Sequence, residues 1–473
     1  MASPPIGQTA ARPRTVAPRR TAWEMVCLLM AITALCHFNR ISITTAGNAR
    51  IMDQYGIAPE RMGWIYSAFL ITYTACMIPG GWVIDRFGAV AALGVVLLGS
   101  VPFMALTGGV GLVAHRAGFA VIALGIVRGL LGVVSAPLHP ACARLVGNWI
   151  GSGGRVRANG LVTGSALIGI AATPPVFGGL IDRSGWPAAF LIASAATAGL
   201  GLVWILVASE SPGLVEEAGD SPAVPAASDA LPDPADPQGP PGRWIDLLRD
   251  RSLILLTASF AAVGYFQYLF FYWMEYYFKE VLHLKESTSR FYVAIPTLAM
   301  GVGMVLGGWL SDTLERVLGL RWGRRLVPMV GMTAGACLLG LGASTREPEW
   351  SATWFAMAMG AVGAVEGPHW ATAVELGARR GGSAAAILNT GGNAGGLLAP
   401  IITPWVGQRY GWGVAVPLGS LVLLAGVALW FGIVPGGKPQ RSGKAGDALE
   451  GEPDLRPWGP NPTHSEAGPG PNG

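Results

Sequence analysis

Charge is scarce in this sequence, and its scarcity excludes an ordinary soluble protein. Acidic and basic residues together make up 13% of the 473 residues, whereas apolar residues make up 51%. Soluble domains carry about 25% charged residues, so the composition favours a membrane protein with several spans. The net charge of +4 is too small and too dispersed to indicate a nucleic-acid partner. The 68 glycines agree with this class, because small residues let membrane helices pack closely.

Cysteine is also scarce, and its distribution argues against two kinds of site. The five cysteines lie inside apolar runs, no two have metal-ligand spacing, and their odd number argues against a disulfide framework. We therefore expect neither a metal centre nor a cofactor. The sequence has no G-x-x-x-x-G-K-[ST] motif, which argues against direct use of ATP. It also has no nucleophile elbow, so we do not expect an enzyme.

Three polar stretches frame the apolar sequence. Residues 1–21 contain arginines and no acid, as a leader peptide can. The apolar run that follows is long enough to span and has no cleavage site after it, so we predict an uncleaved cytoplasmic tail. Residues 210–250 are rich in Pro, Ala and Asp, which predicts a flexible cytoplasmic linker. Residues 435–473 are rich in Gly and Pro, which predicts a disordered cytoplasmic tail.

Apolar runs of about 20 residues, long enough to cross a bilayer, form two sets of six. The first set gives an N-terminal half at 22–209 and the second a C-terminal half at 251–434. The spans are predicted near 22–46, 61–84, 89–111, 118–146, 156–180, 187–209, 252–279, 290–313, 325–345, 350–377, 383–407 and 412–434. We therefore predict an all-α membrane protein with twelve transmembrane helices in two six-helix halves.

The two halves repeat each other in sequence. GGWVID at 80–85 returns as GGWLSD at 307–312, and Gly185-Trp186 returns as Gly411-Trp412. Two matches in the same order at nearly the same offset are hard to obtain by chance. Two six-span halves related by duplication are the architecture of a major-facilitator transporter.

Lysine and arginine predict the orientation in the membrane. If both termini are cytoplasmic, the predicted spans leave most of the 32 lysines and arginines on the cytoplasmic side, as the positive-inside rule requires. We expect a monomeric, multi-pass protein of the cell membrane, which is the plasma or inner membrane, in contact with the lipid bilayer.

An acid and a base directly follow the second predicted span. The stretch from Gly81 through Asp85 and Arg86 to Gly88 resembles the signature loop of the major facilitator superfamily. We expect Gly81 to let a neighbouring helix approach and Gly88 to allow a tight turn. Asp85 would face a helix N-terminus or an arginine across the interface between the halves. We predict a gating loop whose contact forms in one conformation and breaks in the other, with an ordinary solvated loop as the alternative.

The second copy of this loop is altered. Asp312 is kept, but Thr313 stands where the first copy has arginine. Arg321, Arg324 and Arg325 follow, and we expect this group to supply the missing charge.

Arg40, in CHFNRIS on the first span, is the strongest candidate for contact with a cargo. Charged groups inside spans are costly and usually face an aqueous cavity. Arginine offers a planar fork that matches a carboxylate and stays ionised. The alternative is a structural ion pair between helices.

The surroundings of Arg40 point to one family. FNRISIT, MGWIYSAFLITYTACMIPGGW, VRGLLGVVSAP and LNTGGNAGGLLAP resemble the anion:cation symporter family, which includes sialin-like and sugar-acid transporters. The resemblance covers nearly all spans. It implies a secondary active transporter that moves a small organic anion, often a sugar acid, with protons by alternating access. It assigns carboxylate binding to Arg40 and cavity positions to Tyr73 and Asn389, and it matches Arg128 to the arginine of the family's fourth span.

This chain departs from the family pattern where coupling is expected. The family often has an acid before the first-span arginine, where this chain has Asn39, and a glutamate in the fourth span, where it has Ser135. Both usual proton carriers are therefore neutral, and Ser135 stays as a substrate-binding candidate. This departure leaves sodium as an alternative to the proton as the coupling ion.

Two other titratable groups are candidates for proton coupling. Alignment of SAPLHP with EGPHWA through their prolines places Ser135 opposite Glu366 in the tenth span. We predict that Glu366 is the coupling residue. His139, which lies near the fourth-span site and is of a type that titrates near neutral pH, is the alternative.

Other functions stay open from sequence alone. The nearest is an efflux carrier for a drug or metabolite, and a more distant one is a non-transporting receptor that kept the fold. A receptor normally carries an appended signalling domain, and the two tails here are short and featureless.

Overall fold

The protein is described by a computed structural model that covers residues 22–151, 154–211, 244–377 and 380–435. Within these ranges every regular element is a helix. The tail at 1–21, almost all of 435–473 and most of the linker at 210–250 lie outside the described residues, so those predictions stay predictions. At the end of the predicted linker, Trp244–Arg249 forms a 3-10 helix ahead of the second half.

The N-terminal half contains the first six spans. Its helices are, in order, Ala22–Ala46 continued by Gly47–Ile51 and Met52–Tyr55, then Pro59–Ala75 with Met77–Phe87, Ala89–Val113, Ala117–Ser135 with Leu138–Trp149, Arg155–Ala172 with Thr173–Phe177, and Gly178–Val207. A kink at Gly185 divides the last of these helices into the end of the fifth span and the whole of the sixth.

The C-terminal half contains the other six. Its helices are Arg251–Tyr276 continued by Tyr277–Val281, then Glu286–Ser344, Pro348–Gly363 with Glu366–Gly377, Gly381–Tyr410, and Trp412–Ala415 with Leu418–Leu429. A kink at Gly319 divides Glu286–Ser344 into the eighth and ninth spans.

Seven helical segments of the described chain are long and apolar enough to cross a membrane, and the bent second span makes an eighth. The kinks at Gly185 and Gly319 each add one. The tenth and eleventh spans, Pro348–Gly377 and Gly381–Tyr410, complete the set. The predicted all-α fold with twelve spans in two six-helix halves is confirmed.

Four glycines of left-handed backbone conformation mark equivalent turns in the two halves. Their φ angles are 88° at Gly88, 77° at Gly185, 78° at Gly319 and 89° at Gly411. They separate the second span from the third, the fifth from the sixth, the eighth from the ninth and the eleventh from the twelfth. Glycine adopts this conformation without a steric penalty. The Gly-Trp match found in the sequence therefore marks the same turn twice.

Broken helices lie at equivalent places in both halves. The fourth span is interrupted between Ser135 and Leu138, and the tenth between Gly363 and Glu366. The first and seventh spans each contain a π-helical turn near their ends, at Gly47–Ile51 and Tyr277–Val281. Transporters place their substrate sites beside discontinuous helices of this kind.

The bundle has two ends, which we name after two acids. The Asp85 end contains the turn after the second span, and the Asp182 end contains the last residues of the fifth. Because successive spans alternate in direction, each odd-numbered span runs from the Asp85 end to the Asp182 end. The interruptions of the fourth and tenth spans lie between these two ends.

Candidate functional site

Arg40 lies in an aromatic cradle between the two halves. Its guanidinium carbon is 5.1 Å from the ring centre of Phe69, 5.5 Å from that of Tyr73 and 5.2 Å from that of Tyr268. The same group donates a hydrogen bond to the phenol oxygen of Tyr268, which belongs to the seventh span. Aromatic faces attract a guanidinium and hold it flat, so the arginine is oriented while one edge of its fork is still available.

Arg128, in the fourth span, is hydrogen-bonded to the backbone of the first span. Its guanidinium donates to the backbone carbonyl of Asn39 at 3.4 Å and to that of Arg40 at 2.5 Å. The side chain is 1% exposed, and its guanidinium carbon lies 5.7 Å from the centre of the Phe69 ring. These contacts position Arg40 and leave a second positive charge close to it.

The two arginines have no acidic partner. None of the ion pairs among the described residues includes Arg40 or Arg128. The residue before Arg40 is Asn39, whose amide donates to Thr197 of the sixth span at 2.7 Å. Buried charges are normally paired. Among the described residues, the two guanidinium groups are therefore left without a carboxylate, an arrangement whose charge can be balanced by an anion.

A chain of polar side chains continues from Arg40 into the second half. The phenol of Tyr268 donates to the side-chain oxygen of Asn393 at 3.4 Å, and the amide of Asn393 donates to the side-chain oxygen of Asn389 at 3.2 Å. The amide of Asn389 lies 3.8 Å from the sulfur of Met77 in the second span. The chain joins Asn389, which the sequence singled out, to Arg40 through two residues that it did not.

Tyr73 and Ser135 lie in different surroundings. Tyr73 stacks on Phe69 with ring centres 5.7 Å apart, so it forms one wall of the Arg40 cradle. The hydroxyl of Ser135 donates to the carbonyl of Leu131 in its own helix at 2.7 Å. Ser135 thus stands at the break of the fourth span with its hydroxyl bonded locally.

Glu366 is buried and bonded to neutral donors. One carboxylate oxygen accepts from the amide of Gln267 at 2.5 Å and the other from the indole of Trp370 at 3.2 Å. Gln267 directly precedes Tyr268 in the seventh span, so adjacent residues connect Glu366 and Arg40. Ser135 ends one helix and Glu366 begins another, which puts them on opposite sides of their breaks and not at the equivalent position predicted by the alignment.

His139 contacts a second histidine. Its Nε2 lies 3.4 Å from the Nε2 of His37 in the first span, with the ring centres 5.1 Å apart. The Nδ1 of His37 is 2.9 Å from the carbonyl oxygen of Thr33. His37 is three residues before Arg40, so it lies on the same side of the first helix.

The gating loop makes its contacts inside one half. A carboxylate oxygen of Asp85 is 3.3 Å from the guanidinium of Arg144, which belongs to the fourth span. Arg86 is exposed. A Cβ added to Gly81 would meet nothing within 4 Å, whereas one added to Gly80 would lie 3.3 Å from the backbone nitrogen of Pro137. The close helix approach expected at Gly81 is therefore made by its neighbour.

The second copy of the loop has a different partner. Arg324 lies 3.5 Å from Asp312, 3.0 Å from Glu315 and 3.1 Å from Glu375. Arg324 thus supplies a basic charge beside Asp312, where Thr313 cannot. All four of these charged residues belong to the C-terminal half.

Ion pairs between the halves lie at the Asp182 end. Within the described residues there are three such pairs: Arg290 with Asp182 at 2.5 Å, Arg50 with Glu286 at 2.7 Å, and Lys279 with Asp53 at 3.3 Å. Every ion pair at the Asp85 end stays within one half. The structure is therefore tied together at the Asp182 end.

Comparisons with known sequences place the chain among transporters. The profile of the Major Facilitator Superfamily matches residues 29–382. A D-galactonate transporter of Escherichia coli is 25% identical over 443 residues, which are 88% of this chain and 96% of that protein. A probable galactarate/D-glucarate transporter of Bacillus subtilis is 25% identical and covers 83% and 87%. A probable sulfoacetate transporter of Cupriavidus necator is also 25% identical and covers 82% and 87%.

Solved structures share the fold. A bacterial homologue of the human lysosomal transporter Spinster, in an inward-facing and unoccupied conformation, aligns with a TM-score of 0.69 at 16% identity over 88% of this chain and 97% of that one. A D-xylose–proton symporter aligns with a TM-score of 0.65 at 15% identity over 88% and 99%. At these identities the likeness shows a common fold.

Proposed function

Because the chain belongs to the Major Facilitator Superfamily, whose members are transporters and not enzymes, we propose that it carries a small organic anion and binds the anion's acidic group at Arg40. One observation supports this assignment above all. The buried Arg128 and the partly buried Arg40 form a pair of cations without an acid among the described residues. A carboxylate or sulfonate would supply the missing negative charge and accept the arginine's paired N–H groups.

The cargo we propose is a sugar acid or a similar hydroxylated carboxylate. Tyr268, Asn393 and Asn389 form a line of phenol and amide groups that starts at Arg40. Groups of this kind donate and accept hydrogen bonds, as the hydroxyls of a sugar acid require. Galactonate, galactarate and glucarate in the names of the relatives agree with this chemistry.

The coupling ion we propose is a proton. Asn39 and Ser135 cannot titrate, and we propose Glu366 in the tenth span or His139 in the fourth as the carrier. Both are linked to Arg40 by short paths, Glu366 through Gln267 and Tyr268 and His139 through His37. A carrier that depends on sodium would respond to a sodium gradient instead.

We also propose that the molecule alternates between a conformation closed at the Asp182 end and one closed at the Asp85 end. We further propose that it lies in the cell membrane with the Asp85 end on the cytoplasmic side. The three ion pairs at the Asp182 end hold one conformation. The excess of lysine and arginine at the Asp85 end supports the orientation. Reporter fusions at both termini test it, since a cytoplasmic terminus gives fluorescence with green fluorescent protein and no activity with alkaline phosphatase.

Uptake into proteoliposomes tests the function. Radiolabelled D-galactonate, D-glucarate and sulfoacetate are offered with and without an imposed pH gradient, and protein-free liposomes serve as the control. We expect uptake of at least one of these anions and its stimulation by the proton gradient. If none of the three anions is taken up, the proposed cargo class is contradicted. Stimulation of uptake by a sodium gradient alone contradicts the proposed coupling ion.

A further inference from the structure

We propose that His37 and His139 together form a site for one proton, and that occupation of this site is coupled to the charge at Arg40. The inference rests on the proposed function and goes further, because it assigns the proton that accompanies the anion to a pair of histidines on the first and fourth spans. On these two spans this chain has the neutral residues Asn39 and Ser135.

The contacts of His37 define which nitrogens carry hydrogen. The carbonyl oxygen of Thr33 can only accept, so the Nδ1 of His37, 2.9 Å away, carries a hydrogen and donates it. The Nε2 of a neutral His37 is therefore a bare acceptor. It lies 3.4 Å from the Nε2 of His139, which must carry the hydrogen between the two rings.

One added proton fits this arrangement and a second does not. The first proton makes His139 an imidazolium whose Nε2–H donates to the bare nitrogen of His37, and such charge-assisted bonds are stronger than neutral ones. A second proton would have to occupy the Nε2 of His37. Two N–H groups and two positive charges would then face each other over 3.4 Å. The pair therefore takes up one proton as a unit.

The proton can reach the pair from the partly exposed ring. His37 is 7% exposed, whereas His139 is only partly buried. The Nδ1 of His139 is left free of hydrogen when its Nε2 donates to His37. This nitrogen is the entry point for the proton.

Among the charged and titratable groups around the histidine pair, Arg40 is the one whose charge is neutralised when the anion binds. On the first and fourth spans these groups are the thiols of Cys36 and Cys142, the latter 3.7 Å from the hydroxyl of Thr33, and the guanidinium groups of Arg40 and Arg128. The packed third and sixth spans, 89–113 and 186–207, contain no titratable side chain. The second and seventh spans contribute the phenols of Tyr66, Tyr73, Tyr265, Tyr268 and Tyr272. The fifth span has arginines at its start, and its Asp182 and Arg183 lie at the Asp182 end, as does Glu275 of the seventh span, which is 3.7 Å from Arg290.

The coupling follows from charge. An empty Arg40 repels a proton on the neighbouring pair, and a carboxylate bound to Arg40 removes that repulsion. Anion and proton therefore favour each other's binding, and by reciprocity a lower pH strengthens anion binding. Net movement then carries the two together.

Isothermal titration calorimetry in two buffers with different ionisation enthalpies counts the protons taken up as D-galactonate binds. We expect one proton per anion in the wild type near neutral pH, and none in the His37→Gln/His139→Gln double variant or in either single variant. His115→Gln, which changes an exposed histidine in the loop before the fourth span, should match the wild type. Uptake of one proton by the double variant, or of none by the wild type, overturns the proposal.

A second measurement does not depend on the cargo. NMR of the empty protein with 15N-labelled histidine follows the ring nitrogens of His37 and His139 through a pH titration in nanodiscs. We expect one shared protonation step whose signals change together, and two independent full titrations overturn the proposal. Failure of the wild type to bind D-galactonate, D-glucarate or sulfoacetate contradicts the proposed function instead, and the NMR titration then decides the histidine site by itself.

Discussion

Arg40 and Arg128 are both cations inside spans of the first half, but their guanidinium groups make different contacts. Arg128 donates to two backbone carbonyls of the first span, which is the work of a residue that holds a helix in place. Arg40 donates instead to one phenol across the interface, while the Nε atoms of both arginines have no partner in the described structure. This difference supports our proposal that Arg40 contacts the cargo and that Arg128 positions Arg40.

Substitution of Arg40 tests this division. Arg40→Lys keeps the charge and loses the fork, so we expect a folded protein that has lost most of its transport. Truncation of one partner of a buried charge pair costs on the order of 2–5 kcal/mol, so Arg40→Ala should weaken binding of D-galactonate by more than tenfold. Arg61→Ala, at an exposed arginine that begins the second span, is the control. Binding of wild-type strength by Arg40→Ala would make the arginine structural.

Substitution of Glu366 tests whether this carboxyl, and not the histidine pair, carries the coupled proton. Glu366→Gln removes the titratable group and keeps an amide oxygen to accept from Gln267 or Trp370. Because we assign the proton to the histidine pair, we expect accumulation driven by a pH gradient to continue. Loss of accumulation with counterflow exchange of D-galactonate retained, which needs no net proton movement, would assign the proton to Glu366 instead. Glu347→Gln, at an exposed position before the tenth span, should leave both unchanged. Continued accumulation against a gradient by Glu366→Gln would show that the proton does not depend on this carboxyl.

The sequence indicates single residues when their chemistry is unusual for their surroundings. Arg40 stands out as an arginine in an apolar run, and the structure places it in the cradle. Tyr268, Asn393 and His37 were missed because a tyrosine, asparagine or histidine in a span is more often a packing residue. Their importance comes from contacts over long sequence separations, which no local pattern contains: Tyr268 and Arg40 are 228 residues apart.

Helix packing in the two halves depends on glycines at equivalent positions. A Cβ added to Gly169 of the fifth span would lie 2.1 Å from the carbonyl oxygen of Ala34, and one added to Gly395 of the eleventh span would lie 1.8 Å from that of Ala261. The first span therefore approaches the fifth as the seventh approaches the eleventh. Close approach of small residues gives membrane helices their contact area.

Gly395→Ala should consequently destabilise the C-terminal half. The added methyl group meets backbone and not a mobile side chain, and overpacking of this kind costs about 1–3 kcal/mol. Gly109→Ala, on the third span where nothing lies within 4 Å of an added Cβ, should be neutral or slightly stabilising because alanine favours the helix. Thermal unfolding of the purified variants in detergent measures the difference. Equal melting temperatures for the two variants would contradict the close contact.

The sequence predicts elements better than it predicts their partners. Hydropathy and the repeated GGW motif were enough for the spans and for the equivalence of the halves, because both are local signals. The contact expected at Gly81 is made by Gly80, since the side of a helix that faces a neighbour depends on the break at Pro137 in the fourth span. That break is a tertiary feature, and the repeat alone does not specify it.

At the scale of the whole molecule, the ends of the bundle are held differently. Arg290, whose side chain is 3% exposed, joins Asp182 across the halves with two hydrogen bonds at 2.5 and 3.2 Å. Asp85 pairs with Arg144 inside one half and has a side chain that is 83% exposed. The structure is closed by ion pairs at the Asp182 end, and we propose that the loop at the Asp85 end makes its contact across the halves in the opposite conformation.

Asp182→Asn and Asp85→Asn should therefore shift the conformational equilibrium in opposite directions. Exposed ion pairs are worth about 0–1 kcal/mol and buried ones cost about 3–5 kcal/mol to break. The Arg290–Asp182 pair is intermediate, because Arg290 is buried while the Asp182 side chain is 45% exposed. A change of about 1.4 kcal/mol suffices for a tenfold shift in population. Asp182→Asn weakens the closed Asp182 end, whereas Asp85→Asn weakens the conformation in which the Asp85 end closes.

Distances between spin labels in nanodiscs measure the shift. Labels at Ala58→Cys and Lys285→Cys, exposed sites on the two sides of the Asp182 end, report its opening in a background without the five native cysteines. We expect a larger long-distance population in Asp182→Asn and a smaller one in Asp85→Asn, each relative to the labelled parent. D-galactonate affinity should stay close to that of the parent in Asp85→Asn, because Asp85 lies away from Arg40. A shift of both variants in the same direction would mean that the two ends do not alternate.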